Sequence, residues 1–108
     1  MAHPLNETTA AELSRLLAAG SVSARELMSA CLARAEALEP SLHACNSIDA
    51  ERALARADAS DARRGRGEAL GPLDGIPVSM KDLLAVAGEP LTCSSRMLAN
   101  FVSPYDAH

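Results

Sequence analysis

The chain has 108 residues, 48 % of them apolar but only 2 % aromatic, and 10 basic against 14 acidic side chains give a net charge of −4. That length allows one domain of ordinary size at most, and an Ala-rich apolar fraction gains little at about 25 cal/mol per Å² of buried surface. The acidic balance argues against an electrostatic nucleic-acid surface, no run approaches the roughly 18 apolar residues of a membrane span, and the polar N-terminus is unlike a signal peptide.

Two capping boxes open the chain. Thr9 with Glu12 starts a first helix that carries Leu13, Leu16 and Leu17 on one face and stops at Gly20. Ser23 with Glu26 starts a second, with Leu27, Cys31, Ala35 and Leu38 at helical spacing, predicted to end before Pro40. Leu42 to Ile48 reads as a short extended segment. Asp49 then caps a third helix to about Arg63, whose shallow apolar face is Ala50, Ala53, Leu54, Ala57 and Ala62. Gly65 to Gly71 is a Gly- and charge-rich linker, and Arg63, Arg64 and Arg66, the only basic run, read as solvated linker rather than a phosphate site.

Beyond the linker the character changes. Pro72-Leu73-Asp74-Gly75 is a turn, and Ile76 to Lys81 reads as a strand, with Pro77 near its start or on an edge. Gly88-Glu89-Pro90 is a second turn, and Thr92-Cys93-Ser94-Ser95 leads into a short helix, Arg96 to Asn100. The three cysteines, Cys31, Cys45 and Cys93, are odd in number and widely spaced, so they read as small buried side chains rather than a disulfide framework or zinc site. No metal-ligand cluster or phosphate-cradling loop is present.

One residue does not fit its surroundings. Lys81 is the single lysine among ten basic residues and falls at the end of an apolar strand, where alternation places Ser79 on its side. Burial there favours the neutral amine, which can serve as a general base toward a hydroxyl, as Arg cannot. The plainer reading is a strand-end lysine whose head reaches water or pairs with Asp82. Ser94 and Ser95 read as helix caps. Cys93 lacks a histidine to activate it, since His3 and His108 are terminal and His43 lies in the extended segment. Asp74 and Asp82 lack the paired environment of acid/base carboxylates.

Gly71-Pro72-Leu73-Asp74-Gly75-Ile76-Pro77-Val78-Ser79-Met80-Lys81-Asp82 resembles the signature of the amidase signature family. Upstream, Ser21 to Leu27 and Arg34 to Leu38 are similar to that family's N-terminal helices. Downstream, Thr92 to Leu98 and Asn100 to Ala107 resemble its branch of tRNA-dependent amidotransferase subunits. The resemblance implies an α/β fold, of which this chain holds the N-terminal helices and the first core strand of an incomplete mixed sheet covered by helices. Residues 1–108 then form the N-terminal part of a single domain: helical 8–64, linker 65–71, signature strand and loop-helix 72–107.

The family's chemistry is a Ser–cis-Ser–Lys triad that hydrolyses amides through an acyl-enzyme, and its lysine matches Lys81. Its nucleophile and cis-serine match no residue here, so Ser79, Ser94 and Ser95 are not assigned to them, and the chain alone is expected to be inactive. The branch implies glutamine as the amide, amidotransferase subunits B and C as partners, and aminoacyl-tRNA as an indirect one. ATP and Mg²⁺ would serve the partner, with no cofactor or metal for this chain, in the cytoplasm and away from membranes. Two other readings stand beside it: part of a stand-alone amidase acting on small amides, or a non-catalytic interaction or decayed fragment. A fragment is expected to melt without a cooperative transition.

Overall fold

The computed structural model describes residues 4–108; His3 lies outside them. The chain divides into two compact units, one running to Pro77 and the other Val78–His108.

The first unit holds three helices behind a 3₁₀ turn at Leu5–Glu7: α1 (Ala10–Ala18), α2 (Ala24–Leu42) and α3 (Ala50–Gly65). Their starts follow the sequence. Thr9, Ser23 and Asp49 each accept a hydrogen bond from the backbone N–H three residues on. Only Ser23–Glu26 closes the full reciprocal box, because the Glu12 carboxylate pairs with Arg15 instead. Gly20 (φ 71°) ends α1 with both bonds of a Schellman motif, Gly20 N–H to Leu17 O and Ser21 N–H to Leu16 O, at 3.1 and 3.0 Å.

α2 passes through Pro40 and ends at Leu42, with His43 (φ 48°) as a left-handed cap. Proline removes one helical bond, yet Glu36 and Pro40 are both exposed, so the carbonyl left over can be solvated. The connection after α2 is irregular and exposed, and no extended strand forms at 42–48. It contains the exposed Cys45. Cys93 is exposed too and Cys31 half-buried, so the expectation of three buried thiols fails: two of them lie on connections rather than on a packed face.

The core is small. Leu13 and Leu17 of α1, Ala24 and Leu27 of α2 and Ala57 of α3 are buried, and Leu5, Val22, Met28, Cys31 and Ile76 pack against them. On α3 the predicted apolar face is displaced: Ala57 and Ser60 are buried, whereas Ala50 and Ala62 face solvent. Long-range polar contacts lock α2 to α3. The Asp61 carboxylate accepts from the free N–H groups of Ala24 (2.7 Å) and Arg25 (3.0 Å) at the start of α2. A carboxylate at a helix N-terminus also meets the favourable end of the helix dipole.

The segment after the linker belongs to this unit as far as Pro77. Ser14 donates to the Pro72 carbonyl (2.7 Å), and Ile76 joins the core. Gly75 has φ 94°, and a Cβ there would lie 2.8 Å from Ser60 Oγ and 3.0 Å from Ala24 Cβ. Only glycine fits so close to two helices with that backbone.

The second unit is held differently. Residues 88–91 and 101–103 run antiparallel, with Leu91 N–H to Phe101 O (3.0 Å), Gly88 N–H to Ser103 O (2.8 Å) and one bridge, Pro90 to Val102. A 3₁₀ turn, Arg96–Leu98, replaces the predicted helix to Asn100, and Ser95 caps it by accepting from Met97 N–H. Ile76 to Lys81 does not form the predicted strand. Strands exist by pairing, and no neighbour among the described residues offers these a ladder.

Candidate active site

Asp74 sits at the head of the signature segment with its side chain 5 % exposed. Arg63 reaches it from the last turn of α3 with a two-pronged contact, Nη2 to Oδ1 at 2.7 Å and Nε to Oδ2 at 3.1 Å. Leu70 N–H donates to Oδ2 (3.1 Å), and Arg64 donates to the Asp74 carbonyl (2.7 Å). Ser60 Oγ is buried close by, yet outside hydrogen-bond geometry. The Arg63 hydrogen bond is the main cause that holds the Asp74 carboxyl well below the usual carboxylate range. Asp74 is therefore a permanent anion and no proton carrier. The arginine run is correspondingly a clasp and not a solvated linker: Arg63 and Arg64 hold Asp74, and Arg66 pairs with Glu68.

Lys81 is exposed, and its side chain makes no ion pair or hydrogen bond among the described residues. The apolar burial expected of a neutral amine is thus not supplied here, although the flanking side chains, Met80, Leu83 and Leu84, are apolar and themselves exposed. The bland expectation fails as well, since the Asp82 carboxylate turns to Thr92. It accepts from Thr92 N–H at 2.7 Å and from the Thr92 hydroxyl. Ser79 and Ser94 are exposed, and Ser95 is engaged as a cap.

The thiols offer no rival nucleophile. Burial pushes the Cys31 thiol up, and desolvation with the Glu39 carboxylate pushes Cys45 up, both away from the reactive thiolate. Among the described residues there is no group of His, Cys, Asp and Glu able to hold a metal ion, and no helix is long and apolar enough to cross a membrane. Sequence reasoning missed the Arg63–Asp74 and Asp82–Thr92 clasps. The only local signal was an acid placed 10 residues ahead of a run of small hydroxyl side chains.

A small helical core that grips a Gly-Pro segment leading to a solitary lysine defines part of an α/β amide-processing fold. Residues 26–108 match the Amidase family, and the chain belongs to it. It is 47 % identical over 103 residues, 95 % of its length, to the A subunit of the glutamyl-tRNA(Gln) amidotransferase of Chloroflexus aurantiacus. Over 97 residues it is 54 % identical to the protein of that name from Synechococcus sp. (strain WH7803). A solved structure, described as a vestigial protein complex revealing the evolutionary origins of an s-triazine catabolic enzyme, matches with a TM-score of 0.83 and 34 % identity over 93 % of this chain and 22 % of that one. The chain spans about a fifth of the length of the curated relatives it matches.

Proposed function

We propose that this chain contributes the lysine base of a glutamine-hydrolysing amidotransferase subunit that supplies ammonia for tRNA-dependent amidation. One observation carries the reading: Lys81 lies within a stretch 47 to 54 % identical to proteins bearing the amidotransferase name. The 34 % identity to the structure tied to s-triazine catabolism supports a small-amide reading less well.

In this scheme a serine hydroxyl attacks the glutamine side-chain amide. Its proton passes through the cis-serine to the neutral Lys81 amine and then to the leaving nitrogen as ammonia departs, leaving an acyl-enzyme that water hydrolyses. Neither serine is assigned to this chain, which is inactive alone under this proposal. The desolvation and hydroxyl partners that Lys81 lacks among the described residues would come with the serines. The step needs no metal or cofactor. ATP and Mg²⁺ belong to the partner that amidates aminoacyl-tRNA, and a third, smaller partner completes the complex.

The test begins with the protein as its source cell makes it, purified with whatever chains accompany it. Its intact mass is measured, then ammonia release from glutamine and from small amides. Glutamine-dependent release that falls roughly a thousandfold or more in Lys81→Ala supports the proposal. Release that survives this substitution refutes it, and turnover of small amides in preference to glutamine favours the stand-alone amidase.

A further inference from the structure

Asp82 follows the candidate base directly in sequence but does not pair with it. Besides the two bonds that its carboxylate accepts from Thr92, its carbonyl accepts from Cys93 N–H at 3.0 Å. The Lys81 carbonyl accepts from Leu83 and Leu84 N–H at 2.7 and 3.0 Å. Lys81 to Leu84 is therefore a tight turn, closed on itself and tied through Asp82 to a second turn at Thr92–Cys93. That second turn is costly, because Cys93 and Ser94 take φ values of 50° and 57°, a region non-glycine residues rarely enter. Such a conformation persists only where surrounding contacts impose it, and the Asp82 contacts fall on it.

From these contacts we infer that Asp82 and Thr92 are positioning residues for Lys81, fixing its backbone and withholding a counter-ion from its amine. The inference rests on the reading of Lys81 as the base. A proton relay works when its members are held to within about 0.5 Å. The long, exposed Lys81 side chain gains no fixed point from its own contacts among the described residues, so its anchor is the backbone that Asp82 secures. The second effect is electrostatic. A carboxylate paired with the amine would favour the charged form, which cannot accept a proton, and commitment to Thr92 keeps Asp82 from that role.

Because Lys81 is the only lysine, ¹⁵N-lysine labelling of this chain gives one backbone amide signal from that residue type. Its order parameter is expected near about 0.85 in the wild type and in Thr92→Ser, and below about 0.6 in Asp82→Ala, with Thr92→Val between. Unmoved Leu17 and Leu27 methyl signals report that the helices remain folded. Equal order in all four chains overturns the inference.

The same substitutions in the protein isolated from its source cell separate positioning from mere structure. Asp82→Ala is expected to lower kcat about ten- to a hundredfold with KM within about twofold, and Thr92→Ser to restore kcat. An unchanged kcat in Asp82→Ala, where Lys81→Ala abolishes turnover, overturns the positioning role alone. Turnover that survives Lys81→Ala overturns the base reading, and this inference with it.

Discussion

The unit that ends at Pro77 and the unit Val78–His108 are built on opposite principles. The first buries its large apolar side chains: Leu17 and Leu27 are fully enclosed, and its charged groups close over helix ends and over Asp74. The second buries little beyond Ala85, Leu91 and Ser103, while Val78 and Met97 stand 79 % and 95 % exposed and Leu83, Val102 and Tyr105 are exposed beside them. Its shape comes from backbone hydrogen bonds and from carboxylates that grip neighbouring turns. A unit made this way can present a lysine but cannot wrap it in a core of its own. The difference also sharpens the stability expectation: the helices should melt together, whereas 78–108 should add little to that transition.

The comparison breaks most readily in the core. Leu27→Ala is expected to cost about 2–5 kcal/mol, enough to abolish a cooperative thermal transition in so small a core. Retention of that transition would show that the helices do not depend on this contact. Gly75→Ala comes next, at about 1–3 kcal/mol, because the methyl would press on Ser60 and Ala24 in a backbone conformation that disfavours it. Its readout is the same melt.

Asp74 gives a pH signature. Its folded pKa lies below the ordinary value of 3.8, so its stabilising contribution is fully present above that value and is lost as pH falls through it toward the lower folded value. Asp74→Asn should therefore melt at lower urea than wild type at pH 7, with the gap closing as the pH approaches 2. A gap independent of pH would deny the clasp its electrostatic part. At the far end, Met97→Ser on the second unit should change the helical melt by no more than about 0.5 kcal/mol. Amide exchange should agree, with slow exchange in α1–α3 and fast exchange at exposed positions such as Val78 and Met97.

Much of the first unit was legible because its signals act over three or four residues. Thr9, Ser23 and Asp49 cap the helices that follow them, Gly20 closes α1, and Leu13, Leu17 and Leu27 fall on the buried faces. Pro40 misled because its cost depends on where the orphaned carbonyl lies, and here that carbonyl belongs to an exposed turn. Ile76 to Lys81 misled because alternation describes a side-chain pattern, whereas a strand also needs a neighbour to pair with.

The candidate site divides along the same line. The residues of the signature segment, including Lys81 as its sole lysine, could be read directly, since a motif is a property of consecutive residues. Which acid meets which partner could not. Asp61 reaches across 37 residues to the start of α2, Asp74 across 11 to Arg63, and Asp82 turns past its neighbour Lys81 to Thr92. Each carboxylate could have served several cations or amides of similar attraction. The choice falls to the packing, which decides which of those donors it can reach without leaving another buried group unpaired.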